Sequence, residues 1–372
     1  MSNSSINKHQ AIKGRGAVSN ASGRFESCSR EAFDDGWEGL PHEPSECFGY
    51  SPAEEFRPKT EVQTDASKSI LVYNDSPDLP FDRSINPYRG CEHGCVYCFA
   101  RPSHAYLGLS PGLDFETRLF SKPNAATLLE EALRKPRYAC RPIALGVNTD
   151  AYQPIERKLG ITRSVLEVLQ GFRHPVSIIT KSALIERDID ILREMAEDDL
   201  VSVYISITTL DAELARKMEP RAAAPHRRLQ TIRTLAEAGV PVSVLVAPVI
   251  PVLTDPELNS ILAAVKDAGA RSAGYIMLRL PLEVSELFQQ WLHTHYPLKA
   301  EHVMTRVRDT RGGKDYDSRF GERFRGTGAF ADIIAQRFKL ACKKLDLKPR
   351  DYDLNCEAFR VPVRSGDQLG LF

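Results

Sequence analysis

The sequence predicts an α/β fold, a partial (βα)6 barrel of parallel strands with helices outside. Two observations predict it. Short, nearly continuous apolar runs recur from about residue 80, as buried parallel strands require. Amphipathic stretches of helical length separate them, so strand and helix alternate. The strand candidates are 143–147, 176–180, 201–206, 242–247 and 273–277, with a first strand near 84–88. Six strands are fewer than the eight of a closed barrel, so the barrel is expected to stay open. In such folds the C-terminal ends of the strands carry the chemistry.

The helix candidates are 162–171, 187–197, 226–238 and 256–268, and Gly239 and Gly269 stand where helices stop. Four regions follow. Residues 1–65 are rich in Ser, Gly, Pro and Glu and read as a largely disordered extension. Residues 80–280 form the barrel, 281–345 a helical region packed on it, and 346–372 a tail. In the helical region the candidates are 282–295 and 330–345, with a charged, glycine-rich loop at 306–325 between them. One piece of the extension stands out: Gly14-Arg15-Gly16-Ala17, then Ser19-Asn20 and Gly23-Arg24-Phe25-Glu26. It reads as a flexible basic tail, or as a segment folding back over the site with its arginines on an anion.

Composition narrows the class. The chain has 372 residues, 42% hydrophobic and 26% charged, which fits a globular protein. Lys+Arg and Asp+Glu are both 49, so no global basic field exists to collect nucleic acid, although a local groove stays open. The polar start lacks the apolar core of a secretory signal. The longest apolar stretch, 240–253, is broken by Pro241, Pro248 and Pro251 and falls short of the ~20 residues of a membrane helix. A cytoplasmic protein without membrane contact is expected.

Eight cysteines are present, and three of them, Cys91, Cys95 and Cys98, fall within eight residues. Three thiolates this close need a cation to offset their charge, so they read as metal ligands. A structural zinc wants four ligands. His93 is a cramped fourth, and no second Cys-x2-Cys is present. An ordinary ferredoxin cluster also wants four cysteines. Three would leave one iron of a [4Fe-4S] cluster open for chemistry.

The full segment is Ser84-Ile85-Asn86-Pro87-Tyr88-Arg89-Gly90-Cys91-Glu92-His93-Gly94-Cys95-Val96-Tyr97-Cys98-Phe99-Ala100-Arg101. It resembles the radical S-adenosylmethionine (SAM) superfamily, in the branch related to spore photoproduct lyase. The resemblance implies a partial TIM-like barrel and a radical SAM enzyme. It also implies a [4Fe-4S] cluster on Cys91, Cys95 and Cys98, SAM as cofactor, and a one-electron reductant of flavodoxin or ferredoxin type as partner. Cluster and SAM would carry the radical chemistry, while the protein positions them. Residue by residue, Tyr97 and Phe99 match aromatic positions beside the adenine. Thr149 and Asp150 match the region that meets the methionine end of SAM, although an N-cap is an equal role for them. Lys181 matches a lysine on the SAM carboxylate, Ser206 a ribose contact, and Ala247 a backbone contact to adenine. Arg221 and Arg228 are weaker candidates for a carboxylate.

One departure stands out. Photoproduct lyases place a cysteine at the end of the second strand, where this chain has Val147-Asn148-Thr149-Asp150. Cys140 precedes the strand and is expected at its opposite end, in a structural role. Tyr152 and Tyr275 are the candidate hydrogen donors instead. The substrate is not legible. Nucleic acid is one possibility, and it predicts a basic groove of Arg101, Arg311, Arg319, Arg323 and Arg325. A non-catalytic iron–sulfur sensor or electron carrier is another reading.

Overall fold

The computed structural model describes residues 11–26, 58–349 and 353–363. Cys28 and Cys47 lie outside them. Ten strands are present among the described residues: β1 (Glu61–Thr64), β2 (Leu71–Tyr73), β3 (Arg83–Ile85), β4 (Tyr88–Arg89), β5 (Arg118–Ser121), β6 (Ile143–Leu145), β7 (Val176–Thr180), β8 (Val201–Ser206), β9 (Val242–Val249) and β10 (Ser272–Met277). Seven form one sheet in the order β10-β9-β8-β7-β6-β3-β2. Its six strands from β3 to β10 pair in parallel, and β2 adds an antiparallel edge. The expected six parallel strands are therefore all present, in chain order, as an open barrel.

The reason lies in the residues. β8 is buried at every position, and β6 likewise, so no face of these strands meets water. The helices Ile161–Gly171, Ile189–Glu197, Pro225–Glu237 and Leu258–Asp267 cover the sheet, each near its expected place. Pro225 opens its helix at the first turn, where its missing N–H costs nothing. Helices that escaped the sequence reading include Ala125–Leu133, Ala212–Met218 and Ala300–Asp309.

Two expectations need correction. The stretch 1–65 is not uniformly loose. Ala17 and Val18 are buried, and β1 pairs in parallel with β5 in a separate three-stranded sheet closed by β4. Short runs without periodicity gave no sign of this, because the pairing partner lies more than fifty residues away. The charged loop begins later than expected, since the helix Ala300–Asp309 takes up its first residues.

The C-terminal helices Glu283–His295 and Ala329–Lys344 sit near their expected places. Phe288, Trp291, Leu292 and Val303 share one apolar cluster with Cys95, Val96 and Tyr97, so the helical region packs directly on the cysteine loop. The tail returns to the barrel: Lys348 bridges Ser272, and Arg360 N–H donates to Phe172 O at 3.0 Å. Cys356 on this tail meets Cys140, whose thiol is pushed up to about 12, by burial first and then by Cys356. Cys140 precedes β6, as expected, but it is not solitary. Among the described residues no helix is long and apolar enough to cross a membrane.

Candidate active site

The cysteine loop leaves β4 and turns on itself twice. Gly94 N–H donates to Cys91 O at 3.3 Å, and Cys98 N–H to Cys95 O at 3.2 Å. These turns bring the three thiols into mutual electrostatic reach. Burial pushes each above its usual range. For Cys91, Asp150, Cys95 and Cys98 add to the effect. For Cys95, Glu219 adds to it, while Lys181 and Arg228 oppose it. A cation that replaced the thiol protons would relieve these penalties. Among the described residues no three His, Cys, Asp or Glu side chains are grouped to hold a metal ion. A [4Fe-4S] cluster makes a different demand, because each thiolate takes a different iron.

One buried ion pair anchors the loop. Arg101 is fully buried, where the sequence suggested a basic groove. Its guanidinium donates to Cys95 O at 2.9 Å, Gly94 O at 3.2 Å, Pro111 O at 2.9 Å and Gly112 O at 2.8 Å, and pairs with buried Glu116. Glu116 in turn accepts from Gly16 N–H at 3.0 Å and Ala17 N–H at 2.8 Å. Arg15 donates to Glu116 O at 2.9 Å and to Thr60 Oγ1 at 3.3 Å, so it is not free to hold an anion. The 14–26 segment is thus a strap over the loop. A Cβ at Gly16 would stand 1.8 Å from Gly94 O, and Gly94 itself has φ +66°. Both positions therefore require glycine.

The strand ends supply the second half of the site. Lys181, just past β7, donates to Ser206 Oγ at 2.7 Å, Ala247 O at 3.1 Å and Thr208 Oγ1 at 3.3 Å. Its Nζ lies 3.5 Å from Glu219 and 5.7 Å from the Tyr97 ring centre. The Tyr97 hydroxyl donates to Glu219, and Thr208 Oγ1 donates to it at 2.6 Å. Arg228 pairs with the other Glu219 oxygen and donates to Ser206 O at 3.0 Å. Burial opposes ionisation of Glu219. The Arg228 and Lys181 charges and the Thr208 and Tyr97 hydrogen bonds outweigh it, holding the carboxyl well below its usual range.

The structure thus brings together Tyr97, Lys181, Ser206 and Ala247, with Arg228 behind them. It adds Thr208 and Glu219, which the sequence reading missed. Thr208 had a weak signal, two residues past Ser206 at the same strand end. Glu219 had none, because it follows a helix and no spacing ties it to β7 or β8.

Other candidates are placed differently. Asp150 accepts from Thr180 Oγ1 and Lys181 N–H, each at 2.7 Å, and from Tyr152 N–H at 2.9 Å, and it faces His93 Nδ1 at 3.3 Å. It is a brace between the strand ends and the cysteine loop. The His93 charge and these hydrogen bonds overcome its burial and lower its pKa. Thr149 Oγ1 donates to Tyr88 O at 2.9 Å. Both residues therefore spend their polar groups inside the protein. Arg221 pairs with Glu92 of the loop at 3.0 Å. Phe99 is 41% exposed and stacks on Arg279 instead, 4.9 Å from its guanidinium. Tyr152 is fully buried beside Asp188, and Tyr275 is buried and packs against Phe338 at 4.8 Å.

The proposed basic groove also dissolves. Arg311 is buried and donates to Leu278 O at 2.6 Å and Arg323 O at 3.0 Å. Arg319 pairs with Asp317, and Arg323 with Asp78. Of the five arginines named, Arg325 is the exposed one without a carboxylate partner, and it lies 4.4 Å over the Tyr275 ring.

An open parallel barrel with three cysteines on a loop at its C-terminal mouth defines a class of protein. Residues 85–265 match the family described as the Radical SAM superfamily. It is 39% identical over 221 residues to an uncharacterised protein of Mycobacterium tuberculosis, covering 59% of this chain and 65% of that one. It is 28% identical over 223 residues to an uncharacterised protein of Methanocaldococcus jannaschii, covering 60% of this chain and 80% of that one. The chain therefore spans less than two thirds of the mycobacterial relative. In fold it is similar to a spore photoproduct lyase complexed with dinucleoside spore photoproduct, with TM-score 0.53, 14% identity, and coverage of 76% of this chain and 78% of that one. The 14–26 strap lies outside the matched domain.

The Arg101–Glu116 pair yields a prediction. Glu116→Ala leaves a buried guanidinium unpaired, and is expected to cost about 3–5 kcal/mol of unfolding free energy. Urea denaturation of the metal-free chain measures it, and a loss below about 1 kcal/mol would contradict the anchoring role.

Proposed function

We propose that the chain is a radical SAM enzyme that takes one electron from a small donor protein and abstracts hydrogen from its substrate. The observation that carries this reading is a juxtaposition. Three thiols, Cys91 and Cys95 buried and Cys98 half-buried, stand within electrostatic reach of one another beside a polar cluster of Tyr97, Lys181, Ser206, Thr208 and Glu219.

When bound, a [4Fe-4S] cluster with one open iron supplies the electron that splits SAM into methionine and a 5′-deoxyadenosyl radical. Cys91, Cys95 and Cys98 would hold that cluster. Lys181 offers a cation for the SAM carboxylate, and its present partners are hydroxyls, a carbonyl and one more distant carboxylate. Ser206 offers a hydroxyl for the ribose. Tyr97 covers the loop from the lumen side, held by Glu219. Glu219 offsets one of the two charges on Lys181 and Arg228, leaving the pocket net positive for a single carboxylate. The buried apolar cluster around Trp291 keeps water from the loop's other face.

Two measurements test the proposal. Anaerobically reconstituted, reduced protein given SAM is expected to release 5′-deoxyadenosine, read by liquid chromatography, and Cys98→Ala is expected to release none. Equal product from both, or none from an intact holoprotein, would refute it. Lys181→Ala is expected to bind SAM roughly tenfold or more weakly, as loss of one charge-assisted hydrogen bond implies, at unchanged iron content.

A further inference from the structure

Among the described residues, Arg279 at the barrel mouth pairs with no carboxylate. Arg279 lies two residues past β10. Its guanidinium is sandwiched between Phe99 of the cysteine loop, at 4.9 Å, and Phe324, at 4.7 Å. Among the described residues its one hydrogen bond is a long one, 3.3 Å to the Tyr316 hydroxyl, and its Nε is buried without a partner. Arg311 stands near enough to feel the Arg279 charge. Burial first, and that charge second, push Arg311 down to about 10.

The acidic residues nearby are committed elsewhere. Asp317 and Glu322 both pair with Arg319 at 2.6 Å, and Asp315 pairs with Arg308 at 2.7 Å. Asp317 lies within electrostatic reach of Arg311 but is held by Arg319. Arg311 spends its donors on backbone carbonyls, which supply dipoles and no charge. Lys314 stands exposed on the rim of a cavity of about 270 Å³ that Arg311, Tyr316, Ser318 and the Asp317–Arg319 pair also line. Two like charges, one fully buried and one half-buried, are costly without a counter-ion. They also lie beside the cysteine loop, where a substrate must approach.

We propose that Arg279 is an anion anchor of the substrate site, taking a single phosphate or carboxylate group of the substrate against the Phe99 ring. The aromatic rings flank the guanidinium, and its terminal nitrogens, of which one makes only the long bond to Tyr316, can donate to an anion. One anion suits the site better than a polyanion, because the surrounding Arg319 and Arg323 are already neutralised. The assignment of this anion to the substrate rests on the radical SAM reading, but the binding itself does not.

The test uses the full metal-free chain, so it succeeds or fails independently of cluster chemistry. Inorganic phosphate is titrated by calorimetry into wild type, Arg279→Gln, Arg279→Lys and the remote control Arg306→Gln. Wild type and Arg306→Gln are expected to bind alike. Arg279→Gln is expected to bind roughly tenfold more weakly, and Arg279→Lys to fall between, because it keeps the charge and loses the fork. Equal affinity in wild type and both Arg279 variants, or no binding to wild type, would overturn the proposal. If Arg279→Gln does not fold, Arg279→Lys decides it. A single-stranded oligonucleotide is titrated in parallel. Tight, steeply salt-dependent binding lost in Arg279→Gln would place the anchored phosphate in a nucleic acid and overturn the single-anion form.

Discussion

The site depends on one fully buried ion pair, Arg101 with Glu116. Neither charge reaches water, so both must be matched inside the protein. The guanidinium satisfies carbonyls from Gly94, Cys95, Pro111 and Gly112, and the carboxylate accepts two N–H groups from the strap at Gly16 and Ala17. Such pairs often add little net stability compared with apolar packing, but they tolerate few alternative arrangements. Here the arrangement they select is the backbone path of the cysteine loop. Any other path would leave a buried charge unpaired.

A second layer of constraint comes from the strand ends. Asp150 ties the loop through His93 to the ends of β6 and β7, and Arg221 ties it through Glu92 to the turn after Glu219. The loop is therefore held on two sides before any cofactor binds. The polar pocket beside it is balanced internally by Glu219, which keeps Lys181 and Arg228 from repelling each other across a buried space. Preorganisation of this kind reduces the ordering that cofactor binding would otherwise require.

Much of this was legible in the sequence. Continuous apolar runs gave the parallel strands, because burial on both faces makes β7, β8 and β9 apolar at most positions. The three cysteines gave the loop through their spacing, and Lys181, Ser206 and Ala247 gave the pocket because each ends a recognisable strand. What was not legible depends on contacts distant in sequence. Gly16 reads as a flexible residue until Gly94 O is seen beside it, and Glu116 lies on a short helix with no pattern of its own. Arg101 and Arg311 misled for the same reason: charge on a loop suggests solvent, and only the fold reveals the carbonyls that surround them. Asp150 was found but its bracing contacts were not, since a carboxylate at a strand end serves a ligand or a brace equally well on sequence grounds.

The central claim is that the three thiols hold a cluster with one iron left open to SAM. Electron paramagnetic resonance of the reconstituted, reduced protein, recorded with and without SAM and alongside iron analysis, tests it most directly. The account predicts about four irons per chain and a spectrum that shifts when SAM is added. A spectrum that ignores SAM, or a purified protein carrying one zinc ion in place of iron, would contradict it.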